Sequence, residues 1–201
     1  MTNGVVNGRN PRSTALDITG RINRVTGRRE GGIVGLTSQQ MEYVANMRAE
    51  LADPETASGY FSRKRRDRRF DRTVAKAIRE GRPVAAAAIE KAAGRYADRL
   101  LALRGEMIAR TETLTALNAS NYESLLQTID GGVVRIDQVQ REWRTSMDGR
   151  VRDSHTRMNR ERRGLYERFS NGLMYPGDPS GSAAQRINCR CSALPRIKFT
   201  P

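Results

Sequence analysis

The chain has 201 residues, 37% hydrophobic and only 5% aromatic, with a formal charge of +14. That length allows one domain or two small ones, with a core built from Ala, Leu, Ile, Val and Met rather than rings. The charge favours a polyanionic partner (nucleic acid, an anionic membrane or an acidic protein surface), while no stretch approaches the apolar length of a membrane span.

Residues 1–36 are rich in Gly, Asn, Arg and Thr, and Gly27, Gly31, Gly32 and Gly35 interrupt any helix. The segment reads as a flexible basic arm, and it has no apolar core of the kind a secretory signal needs. Ordered structure is expected from Thr37, where Thr37 and Gln40 have capping-box spacing and Leu36 precedes them as a staple. Val44, Met47 and Leu51 then keep helical spacing up to Pro54.

The most basic block follows, with Arg63, Lys64, Arg65, Arg66, Arg68 and Arg69 in seven positions. Phe70, Val74 and Ile78 recur every fourth residue, so the second half of this block is an amphipathic helix, stopped by Gly81 and Pro83. Its cationic residues are candidates for contact with nucleic-acid phosphates or an acidic partner. The alternative is a solvated face partly paired by Asp67, Asp71 and Glu80.

From Pro83 to Ile129 the pattern is helical. Ile89, Ala93, Tyr96, Leu100, Leu103 and Met107 form a stripe continued by Leu114, Leu117, Leu125 and Ile129, with Asn118–Asn121 suited to a turn or cap. Gly94 and Gly105 mark close packing or a kink. Gly131-Gly132 ends this half, and β-compatible residues (Val133, Val134, Ile136, Val139, Trp143) follow, then a helix expected over 154–169 and a turn-rich tail. The expected architecture is α+β: an arm over 1–36, a helical domain over 37–130 and a small α+β domain over 131–201.

The only histidine, His155, and the only cysteines, Cys189 and Cys191, lie in the last third. Thiolate and imidazole suit zinc, with Asp148 or Asp153 as a fourth ligand, but C-x-C with one histidine is not a recognised zinc spacing. The base expectation is therefore no cofactor and a buried thiol pair, with a His155–Cys189–Cys191 zinc site as the alternative. A disulfide across C-x-C closes a strained ring, which agrees with work in a reducing cytoplasm. His155 could also serve as a general base, oriented by Asp153 or Glu112, in a hydrolase or nuclease. No G-x-S-x-G elbow and no carboxylate cluster for Mg²⁺ supports that chemistry, so a non-catalytic protein is expected.

Arg110 and Glu112 flank Thr111 on a helix and are expected to reach separate partners, Arg110 a carboxylate. Trp143 reads as a core anchor. Arg150 and Arg152 alternate on an extended segment, one expected to pair with Asp148 or Asp178 and the other to meet an anion. Tyr175 to Pro179 is a turn.

Four segments together resemble the Mu F-type phage head morphogenesis, or minor head, protein family. They are Ile108–Thr113 (with Ala-Arg-Thr-Glu at 109–112), Asp148–His155, and Tyr175–Asp178 with Asn188-Cys189-Arg190-Cys191. The fourth is the run Gly27–Gly32 before Gly35-Leu36-Thr37. The resemblance covers residue 20 to the end and departs after His155, where Met158-Asn159-Arg160 replaces the usual glycine turn. It implies a minor head protein in the procapsid or virion head, assembled in the host bacterial cytoplasm. The partners implied are the portal or other head proteins and packaged DNA. A plain nucleic-acid-binding protein is the remaining alternative.

Overall fold

The computed structural model describes residues 10–25 and 29–198. Two compact units are present, Arg12–Glu106 and one built on Met107–Pro201.

In the first unit, order begins at Pro11 rather than at Thr37. Helix α1 (Pro11–Thr19) buries Ala15 and Ile18, and β1 (Arg21–Ile22) pairs antiparallel with β2 (Arg29–Glu30). Residues 1–9 and 26–28 of the expected arm lie outside the described residues. Of the glycines read as helix breakers, Gly32 serves close backbone approach: a Cβ there would sit 2.4 Å from the Thr19 carbonyl carbon. Gly105 likewise admits Thr19, whose Cγ2 would be 2.4 Å from a Cβ there.

Helix α2 (Ser38–Ala52) starts on the expected capping box, in which the Gln40 amide donates to Thr37 Oγ1 and the Thr37 amide to Gln40 Oε1, both at 3.1 Å. Val44, Met47 and Leu51 face inward. They join Tyr60 of α3 (Gly59–Ser62), Val74 and Ala77 of α4 (Asp71–Arg79), and Ile89, Ala93, Tyr96 and Leu100. Each large side chain buried there contributes about 1.5–3 kcal/mol.

Helix α5 (Ala86–Asp130) is one unbroken helix. No turn forms at Asn118–Asn121, because the Asn118 side chain finds its partners in tertiary contacts. Its Nδ2 donates to the Cys191 carbonyl (3.2 Å) and its Oδ1 accepts from the Ala193 amide (3.0 Å). Asn118 is buried and Leu117, which spacing placed on the stripe, is exposed. Tyr122, Leu125, Leu126 and Ile129 pack with Val134, Val139, Leu165 and Ile197. The unit boundary therefore falls inside α5 near Met107 and not at Gly131.

The second unit is a three-stranded antiparallel sheet in the order β4-β3-β5, with β3 at Val139–Arg144, β4 at Arg162–Gly164 and β5 at Ser192–Ile197. Two one-turn helices, α6 (Asp153–Thr156) and α7 (Ala183–Arg186), flank it. The helix expected over 154–169 stops after that first turn. Backbone pairing with β3 wins over local propensity there: the Arg160 amide donates to the Trp143 carbonyl (2.8 Å) and the Trp143 amide to the Glu161 carbonyl (2.8 Å). Arg160 takes φ 70°, a left-handed turn made without a glycine. Left-handed backbone costs a non-glycine residue about 1 kcal/mol. Arg160→Gly is therefore expected to stabilise the chain by about 0.5–1 kcal/mol in urea unfolding, and a loss of stability would contradict this account of the turn.

Candidate functional site

Strand β3 reads Val-Gln-Arg-Glu-Trp-Arg, and period-two alternation sends Val139, Arg141 and Trp143 to one face and Gln140, Glu142 and Arg144 to the other. Trp143 is fully buried with Phe169, Met158, Leu173, Cys189 and Cys191, as its reading as a core anchor expected. Arg141 shares that inner face, and sequence reasoning passed over it. Its position two residues from both Val139 and Trp143 was the available signal.

On the other face, Glu142 accepts from Arg162 (2.9 Å) and Arg196 (2.9 and 3.1 Å) and forms an ion pair with Arg144 (3.1 Å). The Arg196 hydrogen bonds, with Arg162 and Arg144, hold its carboxyl at about 2. In the first unit Asp67 is similar: hydrogen bonds from Arg69, opposed by burial, keep it at about 2. Both folded pKa values lie below the unfolded ones, so this stabilisation is complete above the ordinary carboxylate range and is lost as pH falls through about 2. For Asp67 it amounts to about 2 kcal/mol. The urea midpoint is expected to drop between pH 5 and 2, and Asp67→Asn to flatten that dependence. An unchanged slope in the variant would contradict the assignment.

The three residues with metal-ligating side chains converge. His155 comes from α6, whereas Cys189 and Cys191 flank Arg190 in the segment leading into β5. His155 Nδ1 lies 3.6 Å from each sulfur, and all three side chains are buried, at 1%, 5% and 3% exposure. Hydrogen bonds with Cys191 and His155 outweigh burial and hold the Cys189 thiol far below its ordinary range, while the hydrogen bond with Cys189 and burial push the Cys191 thiol up. The Trp143 ring meets the imidazole edge-to-face at 5.3 Å. His155 Nε2 and Trp143 Nε1 are buried without hydrogen-bond partners. Among the described residues no carboxylate joins the cluster.

The surrounding motif residues brace this turn. Asn188 takes φ 59°, a conformation asparagine tolerates, and its amide donates to Thr111 Oγ1 (2.8 Å). Arg110 donates to Asn188 Oδ1 (2.5 Å), an amide oxygen and not the expected carboxylate, while Glu112 is exposed. Asp148 pairs with neither Arg150 nor Arg152 side chain but with both terminal nitrogens of Arg190. Arg152 donates to the Ile187 carbonyl, and Arg150 points to solvent. Asp178 is buried, which raises its pKa, but the Met174 and Ser180 amides more than offset this and hold it low. Gly177 sits at φ 88° with Thr115 where a Cβ would be, so the turn at Tyr175–Pro179 admits only glycine there without strain.

The basic block divides in two. Arg63 pairs with Glu50 (2.6 Å), Arg66 with Asp71 (3.0 Å) and Arg69 with Asp67 (2.5 Å). Lys64, Arg65 and Arg68 are exposed and carry no ion pair among the described residues. Residues 63–67 run as a turn rather than a helix, followed by a 3₁₀ turn at Arg68–Phe70 and then α4. No described helix is long and apolar enough to cross a membrane.

A family model described as Phage Mu protein F like protein matches residues 68–194. No curated protein and no solved structure matches the chain.

Proposed function

The chain belongs to the Phage Mu protein F like family, and from that membership we propose a phage head morphogenesis protein. In this reading it is a non-catalytic component of the procapsid or virion head, assembled in the host bacterial cytoplasm. It acts near the portal, with other head proteins and packaged DNA as partners.

The observation that carries the reading is the meeting of the family-like motifs in one braced unit, Arg110 and Thr111 against Asn188. These residues hold a turn in shape. A non-catalytic role is favoured because His155 is enclosed by Trp143 and two sulfurs, while Ser154 is exposed. The second reading, a nucleic-acid contact, rests on exposed Lys64, Arg65 and Arg68.

Copy number in purified, DNA-filled particles and in their precursors, by quantitative mass spectrometry, tests the head assignment. A few copies per head support a minor virion component, and presence in precursors alone supports an assembly factor that leaves. Absence from both would overturn it.

The contact surface has its own test. Lys64→Glu, Arg65→Glu and Arg68→Glu together are expected to leave the urea midpoint unchanged. They should lower the log–log salt slope of DNA binding by about 2 to 3. Reversing Arg63, Arg66 and Arg69 instead breaks three internal pairs and is expected to cost about 2 kcal/mol of stability. If both triples affect DNA binding equally and neither affects folding, the division is wrong.

A further inference from the structure

We propose that His155, Cys189 and Cys191 form a binding site for a zinc-class divalent cation, with three protein ligands and water in the fourth position.

The ligand atoms Nδ1, Sγ and Sγ all lie within 4.8 Å of one another. A tetrahedral zinc with ordinary Zn–N and Zn–S lengths holds its nitrogen and sulfur ligands about 3.6 Å apart. Both Nδ1–Sγ separations are already 3.6 Å, so binding requires no closure of the imidazole on the thiols. Cys189 and Cys191 flank Arg190 just before β5, and both sulfurs face the same imidazole nitrogen.

Charge and surroundings agree. Two thiolates, a neutral imidazole and a divalent cation sum to zero, which suits burial among Trp143, Met158, Phe169 and Leu173. Thiolate and imidazole select zinc over magnesium or calcium. The Trp143 Nε1–H neighbours Cys191 and is placed to donate to a metal-bound thiolate. The ligands sit on fixed supports: Asn118 holds the Cys191 carbonyl, Asp148 holds Arg190, and Arg152 holds the Ile187 carbonyl. Asp148, engaged at both oxygens by Arg190, is not available as a fourth ligand.

The same 3.6 Å separation also fits a metal-free pair of thiols hydrogen-bonded to imidazole, so direct measurement must separate the two. The full chain is purified under reducing conditions without chelator, and its zinc is measured by elemental mass spectrometry. Metal-stripped protein is then titrated with cobalt(II). One zinc per chain is expected, and one equivalent of cobalt should produce a sulfur-to-cobalt charge-transfer band with tetrahedral visible bands, bleached by zinc. Cys189→Ser and Cys191→Ser, each checked for native far-ultraviolet circular dichroism, are expected to weaken cobalt binding on the order of tenfold or more. Wild-type protein with no zinc and no charge-transfer band overturns the site whatever the variants do. Cobalt binding that survives both serine substitutions overturns it equally.

Discussion

Arg141→Ala is expected to destabilise the second unit by about 4 kcal/mol, followed in urea by fluorescence of Trp143, the chain's only tryptophan. Arg141 is 1% exposed and its guanidinium forms no ion pair among the described residues. Its guanidinium donates to the Gly164 carbonyl (2.7 Å from Nη2) and to the Glu167 and Met174 carbonyls. It lies between the rings of Tyr122 and Phe169, 5.2 Å from each centroid. Burial lowers its pKa, but a guanidinium starts so high that it stays charged. The charge is thus met by carbonyl dipoles and aromatic faces.

Truncation leaves three carbonyls without that donor and opens a cavity between two rings, and each orphaned group alone costs about 1–3 kcal/mol. Arg141→Lys is expected to recover less than half of the loss, because one ammonium cannot span three carbonyls or stack as a plane. A loss under about 1 kcal/mol for the alanine variant would mean that water enters and replaces the guanidinium.

Arg141 also shows where sequence reading ends. The capping box at Thr37–Gln40 and the stripe through Val44, Met47 and Leu51 are local, and both appear where spacing placed them. The long helix and the stop at Gly131-Gly132 are local too. What was not legible depends on partners distant in sequence. The run 154–169 has helical composition, yet residues 160–164 pair with β3. Asn118 looks like a turn residue until Cys191 and Ala193 are placed beside it. Gly32 looks like a breaker until Thr19 approaches it. At the candidate site the ligand types were legible from their rarity, and the metal set His155, Cys189 and Cys191 does converge. Their braces were only partly so: Arg110, Arg152 and Asn188 were singled out, but Arg110 and Arg152 with other partners and Asn188 with none. Arg141 was passed over, although alternation with Val139 and Trp143 puts it inside.

Trp143→Ala is expected to cost a similar amount, about 4 kcal/mol, followed by circular dichroism because the fluorophore is lost. The indole has no exposed surface and meets Phe169 edge-to-face at 5.1 Å and His155 at 5.3 Å. It is also the largest side chain in the cluster that contains both cysteines. A docking hot spot would behave in the opposite way, with little cost in folding and a large one in partner binding. Trp143→Phe separates shape from the polar handle. It retains an aromatic edge for Phe169 and removes the unpartnered Nε1–H, so its folding cost is expected to be about 1–2 kcal/mol. If the indole N–H also supports a metal-bound Cys191 thiolate, Trp143→Phe will weaken cobalt binding more than its small folding cost accounts for. Equal cobalt affinity in wild type and Trp143→Phe would restrict the indole to packing and leave the three ligands to hold the cation without it.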